Sequence, residues 1–522
     1  MRMRVSCVLL GLLLGGCMVG PDFKPPTADA PQDWSDVQRS QRPPDDPRMP
    51  HAGSPSVVDT RANPDPRWWK QFNDETLDSL IERAIAGNLD LQGAVLRIAS
   101  TREQSIAAGA QGLPQINASA SVTREQLGLN GILQSQGVYD KIDGLGANAP
   151  RVRQGIDSAT GPVTLWQDGF DASWELDLFG RVRRSVESAN AQTLAEIENR
   201  NDALVSLEAE VARTYAQLRG AQYVKQITLS EIDAEQKILD LTREQASAGL
   251  TSEADVQSAT AQRGSLQAQL PGFDAQIAQA MNGLAVLTGA PPGSLDGALS
   301  GAGAGVVPPV PPKVPVGLAS TLARRRPDIR RAEAQLHAAT AEVGVAVAQL
   351  YPDISLTGQV GTRATSARYL ARWSSLFWSV GPSVSLPIFE GGALRANVKI
   401  ANAQAAQAAL QYRQSVLTAL QEVDNALVAY RTEQDHRAAL ISTVEANRTS
   451  LEISTDSYRK GLSTFISVLD AERQLAHTRE QLAQSTVGVT VDLIALYKSL
   501  GGGWEETSTQ NASAEKERAQ PR

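Results

Sequence analysis

The chain has 522 residues, 5% of them aromatic, two cysteines and a formal charge of −8. That charge argues against a nucleic-acid partner. His51, His337, His436 and His477 are scattered without metal spacing, and no Cys-x-x-Cys, HExxH, GxSxG or Walker pattern supports an enzyme. The Ala, Gln and Ser residues that crowd the periodic segments suit closely packed helices better than a large globular core.

Arg2 and Arg4 precede an apolar run from Val5 to Leu14, followed by Gly15-Gly16-Cys17. A short charged region, a short apolar region and small residues at a cleavage site read as a secretory signal. Its end resembles the lipobox of bacterial lipoproteins, in which the cysteine, here Cys17, carries the lipid at the mature N-terminus. An ordinary signal peptide cleaved elsewhere is the alternative. Cys7 leaves with the signal, so no disulfide pair remains. Met18, rather than aspartate, follows Cys17 and favours the outer membrane over retention at the inner one.

Residues up to Pro66 are Pro-, Asp- and Ser-rich and read as an extended tether holding the lipid away from the body. Trp68, Trp69 and Phe72 open the ordered part, and one helix is expected from about Asp74 to Ala110. Strict alternation follows at Ile116, Ala118, Ala120 and Val122, and again from about Leu165 to Leu178. The pattern returns around Ile354–Val360 and Trp378–Leu386. Segments of about ten residues with one apolar and one small-polar face fit transmembrane barrel strands. Locally they also fit a half-buried soluble sheet. Two strand pairs, each opening onto a very long helix behind an export signal, favour the barrel.

The longest pattern runs from Arg181 to about Ala248. Ile197, Leu204, Val211, Leu218, Ile232, Leu239 and Ala246 keep a seven-residue step, with Lys225 as the break. Such a helix would be roughly 100 Å long and would supercoil with its neighbours. Adding 212 gives Ala409, Val416, Val423, Tyr430, Val444, Leu451 and Tyr458, with Arg437 as the break. Literal matches such as Ala-Asn-Ala-Gln at 189–192 and 401–404 share the offset, so the sequence reads as an internal duplication. Leu113-Pro114-Gln115-Ile116 matches Tyr351-Pro352-Asp353-Ile354 at 238 instead. The first half therefore has about 26 extra residues, placed in an extracellular loop at 128–162.

Each long helix ends in a glycine break, at Ala248–Ser252 and Lys460–Thr464, with Ser252 and Asp255 able to cap the next helix. Four strands cannot close a barrel, so other copies of the chain must complete it. Two copies would give eight strands and a filled interior; three would give twelve and a passage.

Arg325-Arg326-Pro327-Asp328-Ile329-Arg330-Arg331-Ala332-Glu333, Leu386-Pro387-Ile388-Phe389 and Tyr497-Lys498-Ser499-Leu500-Gly501-Gly502-Gly503-Trp504 resemble the NodT-type outer-membrane lipoproteins of the TolC family. The resemblance covers nearly everything from Cys17 to Trp504. It implies a mixed α and β membrane protein. Its trimeric twelve-stranded barrel, with four strands per chain, would continue into a periplasmic α-helical coiled-coil barrel. The expected partners are a periplasmic adaptor and an inner-membrane pump of the RND type, and the expected location is the Gram-negative outer membrane. It also implies a gate at the tunnel tip. Tyr458 would bridge to Asp255, Asp470 would supply a ring of three carboxylates, and Ile466 would form the apolar constriction. Ser467 stands where some members have a second acidic ring. The plainer reading of Asp470 is one more solvated helix charge.

These readings divide the chain into a signal at 1–16, a lipidated tether at 17–66 and a first repeat at 67–288. A linker follows at 289–316, then a second repeat at 317–504 and a disordered tail at 505–522. The expected function is passive conduction of small molecules, with no cofactor besides the lipid on Cys17. The rivals are an exit duct for secreted proteins and a structural or adhesive trimeric lipoprotein.

Overall fold

The computed structural model describes residues 18–27, 31, 33–35, 56–126, 128–301 and 303–505. The expected signal, Cys17 and the tail beyond Glu505 lie outside the described residues. In chain order the elements are β1 (Val57–Asp59), α1 (Glu75–Gly87), α2 (Leu89–Ala110), β2 (Gln115–Glu125) and three short helices, α3 (Leu129–Ser135), α4 (Val138–Asp143) and α5 (Ala149–Thr160). Then come β3 (Val163–Glu175), α6 (Arg181–Ser247), α7 (Glu253–Leu287), β4 (Lys313–Pro315) and α8 (Pro327–Ala348). The chain closes with β5 (Asp353–Ala364), β6 (Leu376–Ser385), α9 (Ala393–Arg459) and α10 (Phe465–Ser499).

The helices repeat to the residue. α6 and α9 each have 67 residues, and both bounds shift by 212 (181 to 393, 247 to 459). α7 and α10 each have 35, with the same shift (253 to 465, 287 to 499). α2 and α8 each have 22 but shift by 238 (89 to 327, 110 to 348). The seven-residue stripe explains why these helices stay helical. Leu204, Val211 and Leu218, and their counterparts Val416, Val423 and Tyr430, are all buried in one core.

Contacts divide the chain into two units. One holds the described residues of Lys24–Thr101, of Ala191–Leu336 and from Ala406 to Glu505. Its core includes Trp68, Trp69, Phe72, Leu77 and Ile81 beside the stripe residues. Trp68 stacks on Tyr497 at 5.2 Å, and the Tyr497 hydroxyl donates to Gln71 Oε1 at 2.7 Å. The Arg-Arg-Pro-Asp motif is structural here. Arg326, almost fully buried, pairs with Asp328 at 2.7 Å and Glu422 at 2.6 Å and donates to the Ser499 carbonyl at 2.8 Å. Trp504 donates to the Arg325 carbonyl at 2.9 Å. These bonds give a charged, buried guanidinium the partners it needs.

The single helix expected at 74–110 is two. Asn88 is extended between them, its carboxamide accepting from Leu91 N at 3.0 Å and donating to Leu287 O at 3.1 Å. Gly87 allows the close approach, since a Cβ there would lie 2.3 Å from the Thr288 carbonyl.

The other unit holds Arg102–Asn190, His337–Ala405 and the described residues up to Phe23. Its centre is an antiparallel sheet of order β2-β3-β5-β6. Register sets every even-numbered residue on one face. Ile116 pairs with Ala172, Phe170 with Val360, Val360 with Trp378, and Ile354 with Val384. The odd face carries Asn117, Asp171, Gln359 and Ser379. The apolar face has no cover among the described residues: Ile116 is 70% exposed, Trp378 71% and Val380 68%. β2 and β6 are open edges. Asp168 and Arg124 are the charged residues on the even face, and the Thr362 hydroxyl donates to Asp168.

Three expectations change in detail. The second strand ends at Glu175, not Leu178, because Asp177 turns back to accept from the backbone of Val182 and Arg183. The 128–162 insertion is helical, held by Tyr139 on Asn130 at 3.0 Å and Arg153 on Asp143 at 3.0 Å. The described parts of the tether are docked. Arg184, buried, donates to the Val19 carbonyl at 3.2 Å and Asp22 at 2.7 Å, and Phe23 stacks on His337 at 4.3 Å. In the other unit, Trp34 donates to Gly317 O at 2.9 Å and β1 pairs in parallel with β4.

Candidate gate at the helix turns

The turns after α6 and α9 share one backbone design. Gly249 (φ 73°) and Gly461 (φ 71°) adopt the left-handed conformation that glycine tolerates. Leu250 N donates to Gln245 O and Leu462 N to Ser457 O, each at 2.9 Å, closing both helices with the same motif.

The starts of the next helices differ. Ser252 and Asp255 form the expected capping box: Asp255 N reaches Ser252 Oγ at 3.3 Å, and Ser252 N reaches Asp255 Oδ2 at 3.1 Å. The Thr251 hydroxyl also donates to Asp255 Oδ2, at 2.6 Å. Bonds from Thr251 and Ser252 hold the Asp255 carboxyl below its ordinary value. In the second turn Thr464 starts α10 without a side-chain cap, and the position equivalent to Asp255 is Ser467.

This occupancy corrects one expectation. Tyr458 does not bridge to Asp255 within the chain. Asp255 is committed to its own turn, while Tyr458 lies in an apolar cluster with Leu239, Val256, Ala259, Phe465, Val468 and Leu469. Its ring is 5.7 Å from that of Phe465, and its hydroxyl is buried without a hydrogen-bond partner. Asp470 and Ile466 both lie exposed on α10, outside that cluster. The repeat partners of Ile466 and Asp470 are Ala254 and Ser258, so both features belong to the second half alone.

Three carboxylates near the turns, those of Glu235, Glu472 and Glu231, carry buried oxygens rather than facing solvent. Glu235 is 0% exposed, and neither of its oxygens has a hydrogen-bond partner. Burial, then the adjacent Glu235, push the Glu472 carboxyl up to about 9. Burial pushes Glu231 up to about 7, against the pull of Arg479. A signal existed: Glu235 lies three residues after the stripe residue Ile232, just as buried Leu207 lies three after Leu204.

A model of the outer membrane efflux protein family matches residues 80–290 and 318–502. The chain belongs to that family. Nodulation protein T of Rhizobium leguminosarum bv. viciae is 31% identical over 501 residues, spanning 96% of this chain and 94% of its own length. The probable efflux pump outer membrane protein TtgC of Pseudomonas putida is 29% identical over 518 residues, spanning 98% of both. Among solved structures, the outer-membrane channel OprN is 33% identical, with a TM-score of 0.78 over 94% of this chain and 100% of its own. This outer-membrane efflux protein therefore has the fold of TolC-like channels, mostly helical with a β-sheet.

Proposed function

We propose that this chain is the exit duct of a tripartite efflux system. Three copies would form one twelve-stranded barrel above a helical tunnel, conducting small molecules passively from an inner-membrane pump and a periplasmic adaptor. The observation that carries this reading is the sheet of β2, β3, β5 and β6. Among the described residues it has an apolar face with no cover and two open edges. A bilayer tolerates neither an unpaired edge nor an unclosed sheet, so further copies must supply both neighbours. The even face would meet lipid and the odd face would line water.

The equal helix lengths at one offset support an internal duplication. Cys17 would carry the lipid, adding an anchor to the barrel. At the turns, three Asp470 carboxylates around a narrow axis would repel one another and attract cations, with Ile466 as the apolar constriction. Relatives named as antibiotic and toluene efflux pump outer membrane proteins favour efflux of small molecules over protein secretion. Single-channel recording of the purified protein in planar bilayers tests the reading. Stepwise ohmic conductance is expected, and a protein that inserts without conducting would contradict it.

A further inference from the structure

α6 runs into its turn and α10 runs out of the other, so the two helices are antiparallel where the apolar cluster joins them. Leu239 of α6 and Val468 of α10 belong to that cluster. Glu235 precedes Leu239 by four residues, and Glu472 follows Val468 by four. Both acids thus lie one helical turn beyond the cluster, on the same seam. With both ionised, neither oxygen of the fully buried Glu235 has a donor, and Glu472 Oε2 is also buried without one. Two unsolvated carboxylates side by side are strongly unfavourable. A proton on Glu472 supplies the missing donor.

No hydrogen bond from a neighbouring side chain reaches these oxygens. On α6, Glu231 adds a third acid, with one buried oxygen that has no partner. On α10, Arg479 and Glu480 act on Glu231. On α7, Arg263 has a buried Nε without an acceptor. α9 presents Asn447, which donates to Thr478 Oγ1 at 2.8 Å, while its Arg448 and Glu452 pair with each other at the surface.

We propose that Glu235 and Glu472 share one proton that holds α6 against α10, and that its loss in alkaline medium separates the helices and loosens the turns. The proposal rests on reading the turns as the gated end of a conduit. Burial and Glu235 raise the Glu472 carboxyl to about 9, so the proton is in place at neutral pH. The folded value lies above the unfolded one. The contact is therefore fully present below the unfolded carboxylate range and is lost as pH rises through about 9.

Two readouts on the lipidated particle test it, each on wild type, Glu472→Gln and Glu235→Gln, from about pH 6 to about pH 10. The first is open probability in planar bilayers. The second is deuterium uptake at residues 231–240 and 465–475, corrected for intrinsic exchange. Wild type should gain on the order of tenfold or more in open probability across that range, with matching loss of protection. Glu472→Gln, which keeps the shape and loses the titrating carboxyl, should stay flat, and Glu235→Gln, which removes the like charge beside it, should show a weakened response. A pH response that survives Glu472→Gln unchanged, or a wild type as flat as that variant, would overturn the proposal. If no channel forms at any pH, the proposed function fails, while the exchange profile still decides whether the proton holds the seam.

Discussion

Lys225 of α6 reaches Asp274 of α7 at 2.5 Å, and the same two positions meet again 212 residues later as Arg437 and Thr486, at 3.1 Å. The basic residue that breaks each apolar stripe is therefore the tie across its own hairpin. In the first half the tie is ionic and partly exposed, and in the second it is a hydrogen bond to a hydroxyl. Such exposed ion pairs contribute about 0–1 kcal/mol. Lys225→Met should lower stability by no more than that in denaturant unfolding, with the loss shrinking in high salt. Arg437→Met should show no such salt dependence.

Asp255 holds the first turn. Asp255→Ala removes the capping box and should cost about 1 kcal/mol locally, with faster amide exchange at residues 251–256. Because its folded value is depressed, the capping contribution is present above the unfolded carboxylate range and is lost as pH falls through the folded value. Turn fraying should therefore appear in acid in wild type and be independent of acid in the variant.

Tyr458 and Asp470 should separate in a conductance assay. Tyr458→Phe removes a buried hydroxyl that has no partner, so it should leave stability and conductance unchanged or raise stability slightly. Asp470→Ala removes the proposed charge ring and should raise single-channel conductance while reducing cation block. Equal effects from the two substitutions would count against assigning the ring to Asp470.

The two faces of the sheet should respond differently to one charge. Val380→Arg places it among Trp378, Pro382 and Gly358, on the side assigned to lipid, and should cost roughly 2–4 kcal/mol of barrel stability. Ser379→Arg, one residue away on the odd face, should fold and insert but shift ion selectivity toward anions. Heat-modifiable electrophoretic mobility and reversal potentials distinguish the outcomes.

The sequence shows its long-range plan more clearly than its local closures. Leu204, Val211 and Leu218 repeat as Val416, Val423 and Tyr430 because a buried stripe on a long helix must keep its period, and periods are readable. The strand alternation is readable for the same reason. Asn88 was missed because one extended residue between two helical patterns leaves the period nearly intact. The docked Trp34 was missed because a lone aromatic in a polar stretch carries no period at all. At the turns, the Ser252–Asp255 box followed from local spacing, whereas the Glu235–Glu472 pair needs two helices 237 residues apart to be brought into register.

In the proposed duct, four strands per chain become a closed barrel by sharing their edges among three copies. The protein mass of the purified, lipidated particle in detergent, measured by light scattering with the detergent contribution subtracted, tests this most directly. Three chains per particle is the predicted result. A monodisperse single chain would leave β2 and β6 unpaired in the membrane and would rule out the shared barrel.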